Sequence, residues 1–256
     1  MDDPIPDVVS AAWVALDSFV KAVPKDELEG LVPPLRRAIE GVGAPGRTVP
    51  GFAVHKGLGP LVPMLVAGLT TGSSEQREAA ATAMGELVSR TDEVALKPFV
   101  VPFTGPLIRV GTQAGAFPPA VKGAIVGALG AMVEGIPTLV RSFFPQLQRT
   151  FVKAASDPVS LAVRSRAVVA LGALVKHQAR VDPLVTELAG SVRSSRDVGE
   201  EAVAASLVGA LASVAKNSGN NLGQASKDLC IELLREGLRD GGDGELGLFY
   251  NELLSN

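Results

Sequence analysis

The sequence predicts an all-α fold, a stack of antiparallel helix pairs, and three observations carry that expectation. An apolar string around a proline recurs along the chain. A second apolar string containing a glycine alternates with it. No stretch shows sustained two-residue alternation bounded by hairpin turns, so no β-sheet is expected.

The first string reads Leu31-Val32-Pro33-Pro34-Leu35, Leu61-Val62-Pro63-Met64-Leu65, Phe99-Val100-Val101-Pro102-Phe103, Phe143-Phe144-Pro145-Gln146-Leu147 and Val181-Asp182-Pro183-Leu184-Val185. Pro63, Pro102, Pro145 and Pro183 are separated by 39, 43 and 38 residues. The second string reads Met84-Gly85-Glu86-Leu87, Leu129-Gly130-Ala131-Met132, Leu171-Gly172-Ala173-Leu174 and Val208-Gly209-Ala210-Leu211, each about half a repeat after a proline string. Two helices per unit of roughly 40 residues mark HEAT or armadillo arrays, and two rather than three favours HEAT. The expected architecture is therefore a HEAT-repeat α-solenoid, a right-handed superhelix of about six units. Residues 1–256 should form a single array, because each repeat buries its apolar face only against its neighbours.

Taken in chain order, Met1-Asp2-Asp3-Pro4 lacks the basic and apolar regions of a secretory leader. Between about 43 and 57, Gly43, Pro45, Gly46 and Pro50-Gly51 forbid a continuous helix. Pro33 and Pro63 are only 30 residues apart, so this irregular loop replaces a second helix near the start. The uncharged run Gly57–Ser74 reads as a buried helix, since its prolines and glycines leave an apolar part far short of a membrane span of ~20 residues. Ser73 with Gln76 forms a capping box before a helix reaching about Ser89. A helix is expected from about Leu96 to Val110, with Leu96, Phe99, Val100, Phe103, Leu107 and Val110 facing the core. Asp157-Pro158 reads as the cap of the next helix, in which Val163, Ala167, Ala170, Leu171 and Leu174 form one stripe.

Composition limits the function classes. With 46% hydrophobic, 20% charged and only 4% aromatic residues, the chain suits many small-residue helix contacts and does not match a disordered composition. A net charge of −3 gives no global attraction to nucleic acid or an anionic membrane, and partners must be sought in patches. Cys230 is the only cysteine, which excludes an internal disulfide framework and thiolate metal sites and fits the cytosol.

No catalytic, cofactor or metal site emerges, and no small-molecule substrate is implied. Gly41-Val42-Gly43-Ala44-Pro45-Gly46 and Gly242-Asp243-Gly244-Glu245-Leu246-Gly247 match G-x-G-x-x-G without the strand and βαβ setting that a dinucleotide needs. Asp240, Asp243 and Glu245 lack the alternating ligands of an EF-hand loop. Neither His55 nor His177 has a metal-binding neighbour at i+3 or i+4. Cys230 sits among Leu229, Ile231 and Leu234 as a buried thiol without a base, and Glu200-Glu201 reads as a solvated pair.

Two surfaces remain. On the helix from Leu96, placing the core stripe inward turns Val101, Ile108 and Arg109 outward, the mixture of apolar side chains and arginine that protein interfaces favour. Arg141, Arg149 and Lys153 lie on one following helix, with Arg164 and Arg166 opening the next. This basic set reads either as an ordinary solvated face or as a patch for an acidic protein surface or RNA phosphates. The lack of interleaved aromatics weakens a single-stranded nucleic-acid version.

Four strings carry a resemblance: Ala95-Leu96-Lys97-Pro98-Phe99-Val100-Val101-Pro102, Thr104-Gly105-Pro106-Leu107-Ile108-Arg109-Val110, Phe144-Pro145-Gln146-Leu147-Gln148-Arg149-Thr150-Phe151 and Arg180-Val181-Asp182-Pro183-Leu184-Val185. Pro50-Gly51-Phe52, Lys56-Gly57-Leu58 and Gly72-Ser73-Ser74-Glu75-Gln76-Arg77-Glu78 add to it. Over nearly its whole length the chain resembles the C-terminal HEAT region of the general control nonderepressible 1 translational activators. That resemblance implies a segment of a very large cytoplasmic, ribosome-associated scaffold. Its family promotes activation of the kinase that phosphorylates the α-subunit of initiation factor 2 during amino-acid starvation or ribosome stalling. The implied partners are the RWD domain of that kinase and competing RWD-domain proteins, with the ribosome reached through the full-length protein. The family's arginine in the Gly-Pro-Leu-Ile-Arg string maps onto Arg109. The alternative is direct ribosome or ribosomal RNA binding through the basic helices.

Overall fold

Proline placement decides where the first helix of each pair begins. A proline in the first helical turn gives up no intrahelical bond and has its φ already set for a helix. The computed structural model describes residues 3–41, 56–113 and 117–241, and among these all regular structure is helical. The helices are α1 (Pro6–Ala22), α2 (Val32–Glu40), α3 (Leu61–Thr70), α4 (Ser74–Arg90), α5 (Glu93–Leu96), α6 (Val100–Thr112), α7 (Pro119–Gly135), α8 (Pro137–Val140), α9 (Phe144–Ala155), α10 (Leu161–Val175), α11 (Asp182–Asp197), α12 (Glu201–Asn217) and α13 (Gln224–Gly241). Pro33, Pro63, Pro102, Pro145 and Pro183 are each the second or third residue of α2, α3, α6, α9 and α11. The glycine strings fall inside α4, α7, α10 and α12. The two recurring strings are thus the first and second helices of the pairs, and the all-α repeat fold read from the sequence is the observed one.

By backbone proximity the chain divides into two compact units, Met1–Leu147 and Gln148–Asn256, the division falling within α9. In the first unit, α4 packs along α7, α3 packs on α4 and α6, and α6 on α7. In the second, α12 packs against α10, α11 and α13. The glycines explain why second helices sit so close. A Cβ on Gly85 would lie 3.1 Å from the Cα of Ala128, so any side chain there would push α4 off α7. A Cβ on Gly172 would collide with the Ser213 hydroxyl, which itself donates to the Val168 carbonyl at 3.4 Å and fills the space over α10.

The repeat length also shows in the side-chain bonds that join successive units. Glu29 with Thr71, Arg164 with Ser206, Asp182 with Ser226, Gln178 with Asn221 and Arg196 with Glu236 are 40 to 44 residues apart. A polar side chain therefore meets its counterpart one repeat later, as neighbour-only stacking requires.

The structure corrects some local readings. The capping box is present, with Ser73 Oγ accepting from the Gln76 amide and Gln76 Oε1 accepting from the Ser73 amide. The helix expected from Leu96 is instead the short α5, a 3-10 turn at Lys97–Phe99 and then α6, because the Pro98 ring cannot continue an α-helix through that turn. Asp157 does not cap α10. It accepts from the amides of Val159 and Ser160, and Ser160 is the cap, accepting from Val163. The irregular loop at 43–57 falls largely outside the described residues, as do His55, most of the first glycine-rich match and all of the second.

Candidate interaction surface

The face around Arg109 is built from the way α6 is buried. Phe103 and Leu107 are fully buried, with Phe99, Val100 and Val110 beside them and Leu96 closing the stripe from α5. Burying each of the large side chains contributes roughly 1.5–3 kcal/mol, so this stripe fixes the rotation of α6. All six residues assigned to the core from spacing are buried. Thr104, also buried, donates to the Val100 carbonyl at 2.6 Å and touches the Met132 sulfur at 3.5 Å, tying α6 to α7. Length and apolar composition alone would let Glu93–Thr112 cross a membrane, but the apolar stripe of that stretch lies in the core of the first unit.

What the core leaves outward is the predicted set. Val101 is 64% exposed, Arg109 is exposed and Ile108 is half-buried. Arg109 stands in the last turn of α6, where a cation complements the helix dipole, and its own carbonyl accepts from the Thr112 hydroxyl at 2.7 Å. Among the described residues its guanidinium has no ion pair. Sequence reasoning missed that Val94, 77% exposed, and Lys97 and Pro98, also exposed, extend this surface. Their spacing to Val101 follows one helix face and was available, but the expected start at Leu96 left Val94 outside the helix.

The basic set divides. Arg141 is exposed in the 3-10 turn before α9 and belongs to the first unit. Arg149 and Lys153, one turn apart on α9, are exposed and belong to the second. Arg166 is exposed on α10. Arg164 leaves the set. It is 5% exposed, its Nε donates to Ser206 Oγ at 2.8 Å and its Nη1 to the Asp157 carbonyl at 2.9 Å. That arginine joins α10, the α9–α10 connection and α12, and is structural.

Among the described residues no three of His, Cys, Asp or Glu are grouped to hold an ion. His177 is exposed. Cys230 is buried, and that burial pushes its thiol pKa up, away from the reactive thiolate.

Comparison with known proteins gives this geometry a lineage. Residues 1–56 match the family model described as stalled ribosome sensor GCN1-like, HEAT repeats. The eIF-2-alpha kinase activator GCN1 of Saccharomyces cerevisiae is 38% identical over 256 residues, covering 100% of this chain and 9% of the yeast protein. The chain is a GCN1-like HEAT-repeat region. The stalled ribosome sensor GCN1 of Mus musculus is 34% identical over 236 residues, 91% of this chain and 9% of its own length. The human protein of the same name is 37% identical over 201 residues, 77% of this chain and 7% of its own. The chain thus spans less than a tenth of the length of these GCN1 relatives. Among solved structures, a designed armadillo repeat protein superposes with a TM-score of 0.57 at 16% identity, covering 93% of this chain and 96% of its own, which speaks for the fold alone.

Proposed function

We propose that this GCN1-like region is a non-catalytic protein-interaction scaffold whose α6 face docks the RWD domain of the kinase that phosphorylates the α-subunit of initiation factor 2. Competing RWD-domain proteins would use the same face, in the cytoplasm, with the ribosome engaged through the full-length protein. The observation that carries this reading is Arg109, an exposed guanidinium without an ion pair among the described residues, beside the apolar Ile108 and Val101 on the outward side of α6. A cation without an internal partner is free to meet a carboxylate, and adjacent apolar area supplies the dry centre that interfaces need. Arg141 adds positive charge on the first unit, and we assign Arg149 and Lys153, exposed on the second, a partner contact of their own. Names of the yeast and mouse relatives, kinase activator and stalled ribosome sensor, agree with a role in that response.

The test is a titration of the chain with the kinase's RWD domain, wild type against Arg109→Glu. Binding should be lost in the variant while helical circular dichroism and melting temperature stay unchanged. Loss of fold together with binding would make Arg109 structural. An affinity for the RWD domain that collapses with added salt would indicate a purely charged contact in place of a partly apolar one.

A further inference from the structure

In the second unit, cations without ion pairs gather at one end of the helices. Because α10, α11, α12 and α13 alternate in direction, one end gathers the α10–α11 and α12–α13 connections. That end carries Lys176, His177 and Arg180 in the first connection, Lys216 at the close of α12 and Lys227 in the first turns of α13, all exposed. The opposite end carries Asp197, Glu200 and Glu201, also exposed. None of Lys176, Arg180, Lys216 and Lys227 makes an ion pair among the described residues, whereas Arg193 and Arg196 on α11 meet Glu232 and Glu236.

The basic end is also braced. Asn221 Nδ2 donates to the Gln178 carbonyl at 3.0 Å, joining the two connections. Asp182, at the start of α11, accepts from the Gly223 amide at 2.9 Å and the Ser226 hydroxyl at 2.6 Å. The acid nearest these cations is therefore engaged in holding the connections together; of the other acids near this end, Asp228 accepts from Gln224 at 2.8 Å and Glu187 from Gln148 at 3.4 Å. The cations are displayed on a fixed platform, so little ordering entropy opposes their use.

We propose that this end of the second unit binds the phosphate backbone of structured RNA. The proposal stands independently of the Arg109 reading, which concerns the first unit. Two observations favour RNA over an acidic protein. The large exposed apolar side chains Val159, Leu161 and Val198 lie at the acidic end, and none is exposed at the basic end, so the apolar centre of a protein interface is missing there. The one Phe, Tyr or Trp among the described residues of this unit, Phe151, is fully buried, which leaves His177 as the single exposed ring at this end and no row of aromatics on which successive single-stranded bases could stack. Cations on a rigid surface with so little stacking area suit the backbone of a duplex, read by shape.

The experiment measures binding of the 256-residue chain to a fluorescent RNA hairpin and to poly-U, with polyglutamate as competitor. Hairpin binding should exceed poly-U binding and should weaken roughly 100-fold between 50 and 200 mM salt for about four phosphates neutralised. Arg180→Glu with Lys216→Glu should weaken it at least ~30-fold, while Arg166→Glu with Arg235→Glu, the same charge change elsewhere on the unit, should stay within ~3-fold. Should the first pair fail to fold by circular dichroism, Arg180→Gln with Lys216→Gln takes its place with the same expectation. Absence of hairpin binding, equal loss in both pairs, preference for poly-U or complete competition by polyglutamate would each overturn the proposal.

Discussion

Arg109 on α6, read from sequence as part of a mixed apolar and arginine surface, and Arg164 on α10, read as part of a basic set, were both expected at the surface, and the fold treats them oppositely. Arg164 is drawn inward because α10 meets α12 one repeat later, and there the Ser206 hydroxyl and the Asp157 carbonyl are ready to accept its protons. Arg109 lies on the outward side of a first helix, and its guanidinium finds no ion-pair partner among the described residues. The difference teaches that an arginine in a helical repeat is structural when the neighbouring repeat offers acceptors. Otherwise it is available to a partner.

Stability measurements can break this comparison. Replacing Arg164 by Met keeps the aliphatic stem but removes two charge-assisted bonds at a buried site, a loss of about 2–3 kcal/mol. The equivalent Arg109→Met should fall within ~0.5 kcal/mol of wild type, as surface substitutions do. Urea denaturation of the two variants decides the matter. Equal losses would mean that Arg109 is as structural as Arg164.

A second substitution sharpens the same contrast at the seam of second helices. Gly172→Val places a branched side chain against Ser213 and should lose about 1–3 kcal/mol through overpacking. Gly105, on the partly exposed side of α6, has no atom within 4 Å of an added Cβ. Gly105→Ala should instead be neutral or slightly stabilising, since alanine favours a helix by up to ~1 kcal/mol over glycine. A thermal melt of both variants checks the expected opposite signs.

Much of this was legible in the sequence. The proline and glycine strings located first and second helices because each reflects a requirement of the pair: a helix start without a needed amide, and a crossing without a side chain. The core stripe of α6 was legible for the same reason, since spacing alone determines which residues share a face. The break before α6 was not, because several prolines competed and only packing decides which one ends a helix. Nor was the fate of Arg164 legible, since its acceptors lie 7 residues before it and 42 after it, a pairing set by the register between repeats. The braced basic end of the second unit was hidden for a related reason: Arg180 and Lys216 are far apart in sequence and meet at one end only when helices alternate.

Asp182 gives the smallest expected effect and tests how firmly that end is held. The Ser226 hydroxyl, then the Gly223 amide and the nearby Arg180, hold its carboxyl below the usual carboxylate value of 3.8. A carboxylate with a depressed folded-state pKa stabilises the fold above its unfolded pKa, and that contribution fades as pH falls toward the folded value. Asp182→Asn retains one acceptor but loses the charge, so the variant should be modestly less stable than wild type at pH 7, and the two should converge as pH drops below about 4. Urea midpoints at pH 7 and pH 3 provide the measurement. A gap that persists unchanged at pH 3 would show that Asp182 acts through shape and not charge, and would place the bracing of the basic end in the Asn221–Gln178 bond.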